Sequence, residues 1–151
     1  MPASLRIEGI DEIIAKLGKA VAFDTLTPPM NRSVLWIQRD IAVYPPPAKQ
    51  RDGYKGPKYI RGVGFEGGPR TSERLGQKWT TEVKRTFFGL TGKVGTNVSY
   101  APYVQHDRSF PKPHQTLKHI ETGWVTDKQV IEKNVKRIVG DFEAAIRKAT
   151  A

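Results

Sequence analysis

No helix and no central sheet strand can run through Pro45-Pro46-Pro47. Proline fixes φ, has no N–H to donate, and disfavours the helical conformation at the residue before it, so three in a row leave no room for a regular element. The triplet therefore divides the chain. Upstream, Ile10, Ile13, Ile14, Leu17 and Val21 recur at helical spacing and predict one helix over residues 10–21, after a short strand at Leu5–Ile7. Gly18 weakens that helix. Thr27-Pro28 predicts the start of a second helix, an N-cap followed by proline at the first helical position. Met30, Val34, Ile37 and Ile41 form its buried face, and the proline triplet ends it.

Downstream the pattern changes. Residues 48–70 are rich in glycine, lysine and arginine, have no period, and are expected to form a mobile loop. Residues 75–88 are rich in threonine, valine and aromatics. Trp79, Thr81, Val83 and Arg85 fall on one side of a strand, and Thr80, Glu82, Lys84 and Thr86 on the other. Gly89–Gly92 reads as a hairpin turn, with residues 93–98 returning as the partner strand. Ala101–Gln105 is a short helical turn with Tyr100, Tyr103 and Val104 directed inward. Phe110–Pro113 is expected to be extended. Thr126-x-x-Gln129 matches a capping box. The helix it opens carries Ile131, Val135, Ile138, Phe142 and Ala145 as a narrow buried stripe. The resulting fold class is α+β: N-terminal helices, a small antiparallel sheet, and a long C-terminal helix packed on the sheet. A chain of 151 residues fits one domain with one core.

The formal net charge is +10. Residues 49–126 hold fourteen basic and six acidic side chains, whereas residues 1–48 hold five of each. Lys49, Arg51, Lys55, Lys58, Arg61 and Arg70 are interleaved with Tyr54, Tyr59 and Phe65. Such a pattern suits phosphate contact and base stacking. It equally suits a loop that orders against a protein partner, with the aromatics as anchors, or a solvated face. No apolar run approaches a membrane span. No basic-then-apolar leader opens the chain.

Signals for chemistry are sparse. The chain has no cysteine, which removes thiol nucleophiles and cysteine-ligated zinc. His106, His114 and His119 lie near Asp107, but proline separates them and helical ligand spacing is lacking. His106 and His114 are expected to be solvated, and His119 to be hydrogen-bonded near Trp124. No serine sits in a Gly-x-Ser-x-Gly elbow, and no glycine-rich loop leads into lysine and a hydroxyl residue. Acidic residues do not cluster as two-metal hydrolysis requires. The expectation is a non-enzyme with neither metal nor cofactor. A stand-alone nucleic-acid-binding protein and a small hydrolase are the alternatives.

Three segments in order carry a family resemblance. Tyr44-Pro45-Pro46-Pro47 follows an amphipathic helix. Tyr59-Ile60-Arg61 and then Arg70-Thr71-Ser72-Glu73-Arg74-Leu75-Gly76-Gln77-Lys78-Trp79 resemble a Tyr-x-Arg-Thr-Gly-x-Leu-x-x-x-Trp element. Here it is interrupted by residues 62–69, with Ser72 at the usual glycine. Gly95-Thr96-Asn97-Val98-Ser99-Tyr100-Ala101-Pro102-Tyr103-Val104-Gln105 follows, with His119 and Gly123-Trp124 after it. Together they resemble the tail-completion, or head–tail joining, proteins of tailed bacteriophages. The resemblance implies a virion neck or tail protein, assembled in the host cytoplasm as a homo-oligomeric ring, six-fold by preference. It also implies connector or head-completion proteins and tail tube or tail terminator proteins as partners, and DNA passing through the lumen, with no membrane role. Tyr44, Lys49, Arg51, Tyr54, Lys55, Lys58, Tyr59, Arg61, Arg70 and Arg74 are the candidate interface residues. Trp79, Tyr100, Tyr103, His119 and Trp124 are the candidate structural anchors.

Overall fold

The computed structural model describes residues 2–6, 15, 18–46, 53, 55–60, 64–68, 74–86 and 89–151. Strand β1 (Pro2–Arg6) is followed by helix α1 (Lys19–Ile41) and by a two-stranded ribbon, β2 (Tyr59–Ile60) with β3 (Gly64–Phe65). A 3-10 turn at Leu75–Gln77 leads into β4 (Thr80–Thr86) and β5 (Gly89–Gly95). Short helices α2 (Ala101–Gln105) and α3 (Leu117–Glu121) precede the long C-terminal α4 (Asp127–Thr150). Strands β1, β5 and β4 form one antiparallel sheet in that order. The architecture is α+β, as the periodicities imply: α1 lies on β4 and β5, and α4 stacks on α1.

Helix α1 begins earlier than the second helix expected at Thr27. The expected helix over residues 10–21 lies mostly outside the described residues. From Lys19 onward one helix continues to Ile41 without restarting at Thr27, and Pro28 and Pro29 lie inside it. Gly18, at φ 76°, sets its beginning. The two prolines each remove an N–H from the helical ladder. The apolar face nevertheless runs unbroken across them, with Phe23, Leu26, Met30, Val34, Ile37 and Ile41 all buried. Side-chain hydroxyls use carbonyls in this region. Thr27 Oγ1 donates to Phe23 O at 2.6 Å and Ser33 Oγ to Pro29 O at 2.8 Å. Thr27 is thus a back-bonding helix residue rather than an N-cap.

The hairpin also turns earlier than Gly89–Gly92. Thr86 pairs with Gly89, so two residues connect β4 to β5, and Gly92 sits mid-strand opposite Val83. Gly92 is there because α1 rests on it. A Cβ at this position would lie 2.6 Å from both Met30 Sδ and Val34 Cγ1. Thr81 and Val83 face α1 and are half-buried, while Thr80, Glu82, Lys84 and Thr86 are exposed on the other face. Arg85, on the α1 side, donates to Asp24 and Thr27 and lies over the Phe23 ring.

Helix α4 begins at the expected capping box: Thr126 Oγ1 accepts from Gln129 N, and Gln129 Oε1 accepts from Thr126 N. It runs antiparallel to α1. Arg32 pairs with Asp141 through two bonds of 2.7 and 2.9 Å, Arg137 covers the Trp36 ring at 3.7 Å, and Asn134 Nδ2 donates to Asp40 at 3.0 Å. Burial pushes the Asp40 carboxyl up, but Asn134, Lys133 and Arg39 together hold it below the usual range. The buried line of α4 is Val130, Asn134, Ile138 and Phe142. Val135, expected in the stripe, is exposed. The shift follows from Asn134, whose amide also donates to Val130 O at 2.9 Å and so is satisfied within the helix pair.

Replacing Gly92 with alanine should cost about 1–3 kcal/mol, the usual penalty for forcing a methyl into a close-packed contact. A lower urea midpoint at unchanged slope checks this. An unchanged midpoint would show that α1 does not sit on β5 as described.

Candidate assembly interface

The end of α1 is held by groups from distant parts of the chain. A helix leaves its last carbonyls without intrahelical donors. Here Gln105 Nε2 donates to Ile41 O at 2.8 Å, in a fully buried position. One turn earlier on α1, Gln38 Nε2 donates to Trp79 O at 2.6 Å and fixes the entry to β4. Trp79 itself is 4% exposed. Its indole N–H and Gln105 Oε1 are buried without a hydrogen-bond partner among the described residues.

Past the helix, Tyr44 turns inward. Its hydroxyl accepts from Gly76 N at 2.9 Å, and its ring stands edge-on to Trp124 with centroids 4.9 Å apart. Gly76 admits no side chain, since a Cβ would lie 2.7 Å from Ala42 O. Gly123 turns the chain into Trp124 at φ 84°, close to Pro45. Gln115 Nε2 bridges Val104 O and Trp124 O at 2.9 and 2.8 Å. His119 stands edge-on to Trp124 at 6.2 Å, and its Nδ1 lies 2.7 Å from Thr116 Oγ1. Burial, helped by the charge of Lys118, pushes the His119 imidazole below its ordinary value, against an opposing hydrogen bond from the ring to the Tyr103 backbone carbonyl.

The expected site residues fall into three groups. Tyr44, Trp79, Tyr100, His119 and Trp124 all pack at or beside this junction, Trp79 fully and the others partly buried. Lys55, Lys58 and Arg74 are exposed, and Tyr59 lies in β2. Lys49, Arg51, Tyr54, Arg61 and Arg70 lie outside the described residues. So does nearly half of the expected loop at 48–70. Its described part contains a ribbon rather than only a loop, with Tyr59 paired to Phe65 and Ile60 to Gly64.

Three expectations for the stretch 100–124 change. Tyr103 does not pack inward and is 50% exposed, near Leu117 and Ile120, which are also exposed. Its backbone carbonyl accepts from Thr116 N at 2.9 Å, which ties the two segments together. Phe110–Pro113 bends instead of running straight, because Gln115 N bonds back to His106 O at 2.8 Å and the Phe110 ring stacks on His106. His106 is not solvated. Its Nδ1 lies 2.7 Å from Asp127 Oδ2, and Asp127 Oδ1 also accepts from Asp107 N and Lys128 N.

Several apolar side chains are exposed among the described residues. On α4, Val135 and Val139 are exposed beside the half-buried Ile131 and Ile146. On the outer sheet face a shallow depression of about 500 Å³ is lined by Thr80, Glu82, Lys93, Gly95 and Asn97 among others. Among the described residues no three His, Asp or Glu side chains are grouped to hold a metal ion, and no helix is long and apolar enough to cross a membrane. No protein-family model matches the chain, and neither a curated protein nor a solved structure matches it significantly.

The buried glutamines were not singled out by the sequence. Their only signal is an amide side chain at an otherwise apolar turn, as in Pro-Tyr-Val-Gln.

Tyr44→Phe should cost about 1–3 kcal/mol, because it leaves the Gly76 N–H without its acceptor. A thermal midpoint equal to the wild type would contradict the bond. His119 supplies a pH signature. Its folded-state value is depressed, so its contribution to stability is complete above about pH 6.5 and falls as the pH drops below that toward the folded value. Urea unfolding of His119→Gln should lose less stability than wild type between pH 7.5 and 5. Equal losses in both proteins would remove His119 as the source.

Proposed function

We propose that this protein is a structural subunit of the neck of a tailed bacteriophage particle. It forms a ring at the head–tail junction or at the top of the tail, joining connector to tail and leaving a lumen for DNA. It works by interface complementarity, with no bond made or broken. The observation that supports this reading is the junction itself. The three segments that carry the family resemblance are far apart in sequence, yet Tyr44, Gly76 and Trp124 meet in one packed cluster. They therefore behave as parts of one structural device.

A ring is built from head-to-tail contacts, so each subunit needs two different adhesive faces. The exposed apolar side chains among the described residues include Val135 with Val139 on α4, and Tyr103 with Leu117 and Ile120, and in this reading they supply those faces. The basic side chains Lys55 and Lys58 are exposed, and in this reading they meet acidic surfaces of neighbours. Charges at such contacts mainly set partner choice and register. A lumen that gripped phosphates would hinder DNA passage, so a continuous basic stripe along it is not expected.

The test is a nonsense mutation in the gene, in the phage that carries it, complemented from a plasmid. Without the protein, electron microscopy should show DNA-filled heads and separate tails. Wild-type protein should restore joined particles. Lys55→Glu with Lys58→Glu should fold normally, since exposed charges contribute little to stability, yet fail to restore joining. Joined particles in the absence of the protein would overturn the neck assignment. Steeply salt-dependent DNA binding by the purified protein, lost in the double variant, would instead favour a nucleic-acid-binding role.

A further inference from the structure

Strand β4 is an edge strand. The sheet order is β1-β5-β4, and among the described residues no strand pairs with the outer side of β4. Its register shows which backbone groups are open. Thr86 and Gly89 face each other across a two-residue connection, and such a closing pair exchanges both of its backbone hydrogen bonds. Alternation along the strand then directs the N–H and C=O groups of Thr80, Glu82, Lys84 and Thr86 toward β5. Those of Thr81, Val83 and Arg85 point to the open edge.

Charged side chains on an edge ordinarily deter pairing with another chain. Here their order does the reverse. We propose that β4 pairs antiparallel with β4 of a second copy of this chain, about a two-fold axis through Val83. In that register Val83 faces its own counterpart and exchanges backbone hydrogen bonds with it. Thr81 and Arg85 face one another across the pair and do the same. Glu82 then lies opposite Lys84 of the second copy, and Lys84 opposite its Glu82. Both pairs occupy non-hydrogen-bonded positions, where side chains approach most closely. Both sit on the outer sheet face, where Glu82 and Lys84 are exposed and already within 2.9 Å of each other along the strand. Arg85 adds no uncompensated charge, because Asp24 of its own chain holds it. The result is a six-stranded sheet with α1 of each copy on the same side. This isologous contact differs in kind from the head-to-tail contacts of a ring and does not depend on the neck assignment.

The sequence of charges provides the test. Sedimentation equilibrium and native mass spectrometry at low salt should show a reversible dimer of the full chain. Glu82→Lys places lysine opposite lysine, and Lys84→Glu places glutamate opposite glutamate. Each should weaken dimerisation at least about tenfold, since opposite charges across strands stabilise a pair and like charges oppose it. An equimolar mixture of the two variants restores both cross-strand pairs. It should form a heterodimer within about threefold of wild-type affinity. The mixture cannot restore the contact along the strand, so recovery reports the interface alone. Circular dichroism of each variant confirms that it is folded. In the wild type, amide exchange at Thr81, Val83 and Arg85 should slow as protein concentration rises. A wild type that stays monomeric at millimolar concentration would overturn the proposal. So would variants that dimerise as tightly as wild type, a mixture that fails to recover, or exchange independent of concentration.

Discussion

Helix α1 is buried on two sides at once, and the rest of the structure depends on how closely it approaches β5. Met30 and Val34 occupy the space that a side chain at position 92 would fill. On the other side, Trp36, Asp40 and Arg32 meet α4. The helix does this with two prolines inside it. An interior proline costs on the order of 3 kcal/mol, whereas burying a large aliphatic side chain contributes about 1.5–3 kcal/mol. Leu26, Met30, Ile37 and Ile41 are fully buried along one face. Their burial is enough to offset the defect, so the helix runs on through Pro28 and Pro29 rather than restarting there.

The C-terminal end of α1 passes this order to the remainder of the chain. Gln38 holds the Trp79 carbonyl and Gln105 holds the Ile41 carbonyl. These bonds fix the entry to the sheet and the start of the stretch that follows it. Tyr44 then joins Gly76 to Trp124. With these groups committed inward, the apolar side chains left outside include Tyr103, Leu117 and Ile120 near the junction and Val135 and Val139 on α4.

Much of this was legible in the sequence, and the exceptions share a cause. The capping box at Thr126 and Gln129 is a local device that needs only its own four residues, so reading it required nothing further. The alternation of β4 was equally legible, because Val83 and Thr81 are turned inward by strand geometry. Thr27-Pro28 misled because its usual meaning as a helix start is a local preference, overridden by Leu26 and Met30 packing across it. Gly89–Gly92 misled because glycine signals a turn when backbone freedom is needed. Gly92 instead marks where a helix touches the strand. Asn134 and Gln105 are not legible as core residues, because polarity argues against burial until the partners, Asp40 and the Ile41 carbonyl, are known. Tyr103 is expected inward with Val104, but Ala101, Val104 and Gln105 take the inward positions of α2.

Native-state amide hydrogen exchange tests most directly whether α1 is one continuous helix clamped between the sheet and α4. Amides from Met30 to Ile41 should exchange only through global unfolding, with the same free energy as those of Leu90 and Val94 in β5. Residues 22–27 should share that unit. Exchange of residues 22–27 by a separate, lower-energy opening, with protection beginning anew after Pro29, would mean that the prolines divide the helix and that the clamp does not exist.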